Sequence, residues 1–199
     1  MTAREPREVL LRTPTYADEA EFVELMRGSK AFHRPWATAP TDAERFAAYL
    51  VDAHRADFEA MLVCRQEDGA IVGFFNLSQI VRRRLQSAYL GYAAGAPYAG
   101  HGYMRAGLAL VLERAFLDLR LHRLEANIQP DNDASLALVR GAGFRREGFS
   151  PRYLKIGGRW RDHERWAILA DEWRAALGGE RLDSAAPGRR SSAGRALHS

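Results

Sequence analysis

A single cysteine, Cys64, leaves this 199-residue chain without an internal disulfide and fits a reducing compartment. Long apolar runs are missing too. Nothing approaches the roughly 20 residues of a membrane span, and Met1 to Glu8 is charged, with no secretory apolar segment. The six histidines show no metal-ligand spacing. Lysine is nearly absent: of 29 basic residues only Lys30 and Lys155 are lysines. The arginines are scattered, and Arg82-Arg83-Arg84 is the one dense cluster, read as a solvated loop or as an electropositive rim for an anionic ligand. These gaps exclude a disulfide scaffold and a membrane span. They lead us to expect a cytoplasmic protein with no metal and no direct nucleic-acid binding.

What is present suits a globular domain. Hydrophobic residues make up 47% and charged residues 27%, enough apolar material for one substantial core. Val9 to Arg12 reads as a first strand, Asp18 to Arg27 as a helix and Phe32 to Trp36 as an aromatic loop. Thr41-Asp42-Ala43-Glu44 has capping-box spacing, so a second helix is expected from Asp42 to about Asp57. Met61 to Arg65 and Ala70 to Gln79 read as strands turned at Glu67-Asp68-Gly69, followed by a third at Ser87 to Ala94. Gly102 to Arg120 carries one apolar stripe. Leu124 to Gln129 alternates apolar and polar, so one face is buried and Glu125 and Asn127 lie on the other. A helix over Asp133 to Arg140, a hairpin of Phe149 to Ile156 and Arg159 to Leu169, and a last helical turn to Leu177 complete a domain over 1–177. The stretch 178–199 is rich in Gly, Ser, Ala and Arg and is expected to be a disordered tail. Strands, then strand–helix–strand–helix, then a hairpin predict an α/β (α+β) sheet with helices on both faces.

One loop carries chemistry. Gly100-His101-Gly102 stands between a strand and a helix, where backbone N–H groups and the helix dipole can seat a phosphate. It lacks the third glycine of a Rossmann turn and the Lys-Ser/Thr of a P-loop.

The ordered set Ala70-Ile71-Val72-Gly73-Phe74-Phe75-Asn76-Leu77, Tyr89-Leu90-Gly91-Tyr92, Gly100-His101-Gly102-Tyr103-Met104, His122-Arg123-Leu124-Glu125-Ala126-Asn127, Asn132-Asp133-Ala134-Ser135, Gly143-Phe144 and Trp160-Arg161-Asp162-His163 resembles the GNAT superfamily of N-acetyltransferases. Within it, the chain is similar from Val9 to Trp173 to the branch that acetylates ribosomal-protein N-termini. The resemblance implies acetyl-CoA as co-substrate and a mixed, mostly antiparallel sheet splayed between its fourth and fifth strands. It implies pantetheine against the backbone of Tyr92, Ala93 and Ala94, and pyrophosphate on the amides of Gly100, His101, Gly102, Tyr103, Met104 and Arg105. Asn132 and Ser135 would face the sulfur end, although helix N-terminal polarity alone accounts for such residues. Pro97 stands where relatives often carry Gln or Arg, and Val139 where many carry a tyrosine that serves as general acid; Ser135 or a water is left for that role. Trp36, Asn76 and Tyr153 would wall the acceptor site, with plain packing the alternative for Trp36 and Tyr153.

Glu125 is the base candidate, with an ion pair to Arg123 or to a helix arginine as its other reading. His163 and Asp162 are read as structural and Cys64 as a small buried hydrophobe. The expected acceptor is a protein N-terminal α-amine, such as a ribosomal-protein alanine. A small amine or antibiotic is the second reading, and a non-catalytic acyl-CoA-binding or ribosome-assembly module the third. A monomer or a homodimer is expected.

Overall fold

The computed structural model describes residues 8–184. Seven strands form one sheet in the order β1-β2-β3-β4-β5-β7-β6. They are β1 (Val9–Arg12), β2 (Phe58–Arg65), β3 (Ile71–Val81), β4 (Ser87–Ala94), β5 (Arg123–Ile128), β6 (Arg145–Ile156) and β7 (Arg159–Leu169). All neighbours are antiparallel except β4 and β5, which run parallel.

Helices cover both faces, as the strand patterns require. On one face lie α1 (Glu19–Gly28), α2 (Lys30–His33) and α3 (Ala43–Asp52); on the other, α4 (Tyr103–Glu113), α5 (Asp133–Gly141) and α6 (Ala170–Ser184). Period-two alternation splits the core accordingly. Leu62, Cys64 and Phe74 meet Phe22, Met26, Phe46 and Leu50 on the first side, while Val63, Phe75 and Leu77 meet Leu108, Val111, Leu112 and Phe116 on the second. Cys64 is fully buried, and burial pushes its thiol up, as expected of a small core residue. Gly107 is where α4 crosses the sheet: a Cβ there would stand 3.1 Å from Phe75 and from Val63.

The structure moves several predicted boundaries. The helix expected to reach Asp57 stops at Asp52, where the chain turns and Arg55 pairs with Asp57 at 2.9 Å. The first two residues of the aromatic loop, Phe32 and His33, belong to α2. Strand β6 begins at Arg145, because its register with β7 shifts between Arg146 and Gly148 and hides the alternation. Helix α4 ends at Glu113 and continues as a single wider turn, Arg114–Asp118. Helix α6 runs to Ser184, into the stretch predicted to be tail, through Glu180-Arg181-Leu182, which are good helix formers. The rest of the predicted tail, 185–199, lies outside the described residues.

Candidate active site

Strands β4 and β5 pair only from Ser87↔Arg123 to Tyr89↔Glu125. Beyond that rung they part, which makes a fork in the sheet. Which backbone groups face the gap follows from the other edge of β4. Gly95 N–H donates to Val72 C=O at 2.7 Å, and ladder bonds alternate along an antiparallel pair. Gly91 and Ala93 therefore bond to β3, while Tyr92 and Ala94 turn their N–H and C=O groups toward the gap. Ala94 C=O is already taken, accepting from His33 Nε2 at 2.8 Å. Of the backbone groups over Tyr92, Ala93 and Ala94, those of Tyr92 and the N–H of Ala94 thus face the gap without a partner on β3.

At the open end of the fork stands the head of α4. Gly100 and Gly102 both adopt left-handed backbone conformations, with φ of 74° and 91°. Glycine adopts these without strain and lets a ligand approach the backbone closely. A Cβ on Gly100 would meet nothing within 4 Å, so the loop is open on that side. Gly102 is the N-cap and, having no side chain, offers no capping oxygen to the amides of Met104 and Arg105. Tyr103 bonds Arg65 through its side chain, and the Arg105 guanidinium lies beside Gly141 at the end of α5. Arg82-Arg83-Arg84 lies at the opposite end of β4 from this loop, roughly 23 Å away at about 3.3 Å per strand residue. It is exposed and cannot form a rim to the site, and Arg82 bonds Leu119 C=O.

Across the gap, α5 presents Asn132 and Ser135. Asn132 is the N-cap, its Oδ1 accepting from Ser135 N–H at 3.2 Å, so helix chemistry alone accounts for that oxygen. Tyr92 Oη lies 3.4 Å from Ser135 C=O and ties β4 to α5. Burial pushes that phenol up to about 12, so it keeps its proton. Val139 is fully buried in the core, which leaves that turn of α5 without an acid.

The opposite face of the fork is polar. Strand β5 alternates as predicted, with Leu124, Ala126 and Ile128 buried and Arg123, Glu125 and Asn127 on the other side. Glu125 sits on the last paired rung and accepts from Arg123 Nε at 2.9 Å. Arg123 also pairs with Glu147. Beside Glu125 is Tyr89, whose hydroxyl is pushed up to about 12 by its bond with Tyr153, then by burial and nearby charge. Tyr153 packs edge-on against His163 at 6.2 Å. Glu125 and Tyr153, distant in sequence, therefore meet around Tyr89, a residue that strand patterning gave no reason to single out.

The other two predicted wall residues belong to other elements. Asn76 accepts from Tyr49 Oη at 2.8 Å and lines a cavity against α3. Trp36 is held by its backbone: Gln129 Nε2 donates to Pro35 C=O at 3.3 Å and Trp36 C=O at 3.1 Å. His33, bonded to β4, and Gln129, just after β5, thus pin one loop across the open fork. Neither was singled out in the sequence, because each acts only through a contact distant along the chain.

Two buried side-chain atoms among the described residues have no partner, Asn127 Oδ1 and Arg161 Nε. Leaving such a group unsatisfied costs about 1–3 kcal/mol. Both belong to strands next to the fork. His163 and Asp162 are engaged structurally: His163 Nδ1 donates to Arg161 C=O at 3.0 Å, and Asp162 accepts from Arg152 N–H at 2.7 Å. Among the described residues no group of His, Cys, Asp and Glu is arranged to hold a metal, and no helix is long and apolar enough to cross a membrane.

Residues 8–145 match the family model described as an acetyltransferase (GNAT) domain. The chain belongs to the GNAT acetyltransferase family. It is 40% identical over 102 residues to a Bacillus subtilis protein named "Probable N-acetyltransferase YjcK", covering 51% of this chain and 56% of that one. It is 35% identical over 107 residues to the ribosomal protein uS5-alanine N-acetyltransferase of Escherichia coli, covering 54% and 55%. The aligned segments span about half the length of these GNAT relatives. The structure of Mycobacterium smegmatis RimJ in complex with CoA-disulfide superposes with a TM-score of 0.77 at 26% identity, covering 87% of this chain and 90% of that one. The mixed sheet and its two helical faces are therefore the GNAT fold, as the sequence resemblance implied.

Proposed function

We propose that this chain is an acetyl-CoA-dependent N-acetyltransferase whose acceptor is a protein N-terminal α-amine. The observation that carries the reading is the fork: β4 leaves β5 after Tyr89/Glu125, and its bared edge leads straight to the glycine head of α4. A long thiol ester bearing a diphosphate fits that course. Its pyrophosphate would lie over Gly100 to Arg105, and its pantetheine along Tyr92 and Ala94, where edge amides can bond it. The open space beside Gly100 is the room a diphosphate needs. RimJ holding CoA-disulfide supports the same donor. The uS5-alanine enzyme supports a ribosomal-protein N-terminus as acceptor.

Acetyl-CoA supplies an activated acyl group. Attack by a neutral amine forms the C–N bond as the C–S bond breaks; the amine loses a proton and the thiolate takes one up. The Tyr92 N–H, already aimed into the gap, can polarise the carbonyl without reorganising. Glu125, at the apex of the fork, can take the amine's proton directly or through water, with Tyr89 and Tyr153 shaping the space around it. Ser135, on the far bank, can supply the thiolate's proton. An α-amine, with a pKa near 7.7–8.0 against about 10.4 for lysine, needs about 3 kcal/mol less to deprotonate at neutral pH, so a weak base suffices.

Calorimetric titration with acetyl-CoA is expected to show one site per chain. Thiol release is then expected with alanine-initiated peptides ahead of lysine peptides and small amines. A preference for small amines would transfer the site to the second reading. Binding without turnover of any acceptor would leave a non-catalytic acyl-CoA module.

A further inference from the structure

Beside the fork lies a cavity of about 310 Å³, walled by α2, the loop after it and the turn between β6 and β7. Its lining includes Lys30, Arg34, Arg45, Arg159 and Arg161 and contains no Asp or Glu. Arg45 is balanced by Asp42 at 3.5 Å. The other four make no ion pair among the described residues. Three arginines of β5 and β6, by contrast, are paired: Arg123 with Glu125 and Glu147, Arg145 with Glu147 and Glu172, and Arg146 with Glu164. The cavity thus brings four cations together with no carboxylate in its lining. A second observation points the same way. Arg161 Nε is buried without an acceptor, and a buried donor in that state is destabilising until something supplies one. The cavity is also joined to the reaction gap, since His33 lines it and bonds Ala94 C=O at 2.8 Å.

We infer that this cavity selects the acceptor by its carboxylates, and that the acceptor is a peptide carrying Asp or Glu within the first few residues after the acetylated amine. The inference rests on the N-acetyltransferase reading and adds the substrate class to it. Guanidinium groups recognise carboxylates with two parallel hydrogen bonds, which suits an Arg159 and Arg161 wall better than any apolar or cationic guest. A polyamine would meet like charge without a compensating acid. The same chemistry could be satisfied by a free amino acid through its α-carboxylate, and the experiment separates the two sources.

The full chain with saturating acetyl-CoA is assayed by thiol release on alanine-initiated peptides that differ only at the next three residues, made acidic, neutral or basic. Free glutamate and spermidine serve as small acceptors. The acidic peptide is expected to exceed the basic one by at least 30-fold in kcat/KM at low salt, mainly through KM, and the gap should narrow as salt screens the cavity. Arg161→Gln, and separately the exposed Arg159→Gln, should reduce that gap at least fivefold. Their affinity for acetyl-CoA should be unchanged, and Arg161→Lys should restore part of the gap. Equal turnover of all three peptides would overturn this inference and leave the acetyltransferase reading standing. Free glutamate outpacing every peptide would overturn the peptide acceptor in favour of an amino acid. Turnover of none of the acceptors would remove both readings together.

Discussion

The head of α4 and the cavity beneath the β6–β7 turn both suit anions, by opposite means. At the head of α4 the positive potential belongs to the backbone: two glycines in left-handed conformations, an uncapped helix start and a dipole. No charged side chain is needed, and the seat is complete within a few consecutive residues. In the cavity the charge sits at the tips of long side chains from Lys30, Arg34, Arg159 and Arg161, borrowed from segments far apart in the chain. A backbone seat is rigid and reads a compact diphosphate. A side-chain seat is adaptable and reads charge more than shape. Such a division suits an enzyme with one invariant co-substrate and a variable acceptor.

The strongest way to break this comparison is at the backbone seat. Gly102→Glu forces a side chain onto φ of 91° and adds a carboxylate where the diphosphate is to lie. The dissociation constant for acetyl-CoA should rise about 100-fold by calorimetry, roughly 2.7 kcal/mol, with cooperative unfolding retained. Unchanged affinity would mean the helix head is not the seat.

Next in size is the bank of α5. Ser135→Ala should lower kcat about tenfold and leave acetyl-CoA affinity unchanged, because its N–H, and so the Asn132 cap, survives the substitution. Equal loss of affinity would make Ser135 a binding residue instead.

The acceptor side can be sharpened by pH. Burial lowers the pKa of His163 below 6.5, against the opposing effects of Arg161 C=O and Asp162. The unfolded chain then takes up the proton before the folded one. His163 therefore costs no stability above about pH 6.5, and stability falls as the pH drops from there through the folded pKa. His163→Gln should flatten the fall of the urea midpoint between pH 7 and pH 5.5. An identical slope in both proteins would place the titration elsewhere.

The smallest effect should come from the neutralised arginines. Arg145 pairs with Glu147 at 3.0 Å and with Glu172, and its side chain is 48% exposed. Arg145→Ala should cost under about 1 kcal/mol in denaturant unfolding and leave the preference between acidic and basic peptides untouched. A changed preference would mean that charge anywhere on this face steers the acceptor.

Much of the fold was legible because it obeys local rules. The alternation in Leu124 to Ile128, the Asp68-Gly69 hairpin with φ of 75° at Gly69 and the Gly157-Gly158 turn with both residues at positive φ all depend on neighbours in the chain. Boundaries failed where tertiary pairing outweighed pattern, as at Arg145, where a register shift conceals the strand. The candidate site divides in the same way. The glycine loop and Glu125 could be picked out. Tyr89, His33, Gln129 and Arg161 could not, since a tyrosine in a strand or one arginine among many has no local signature.

Sequence alone determined that a strand would end in a glycine loop opening a helix, and that Glu125 would lie on a polar strand face. It did so because glycine conformation, helix starts and strand alternation are settled within a turn or a few residues. Only the tertiary structure decided that β4 and β5 part at Tyr89/Glu125, that one loop is pinned across the gap by His33 and Gln129, and that Lys30, Arg34, Arg159 and Arg161 crowd one cavity with no ion-pair partner among the described residues. Those facts depend on distances through space between segments that no short-range rule connects.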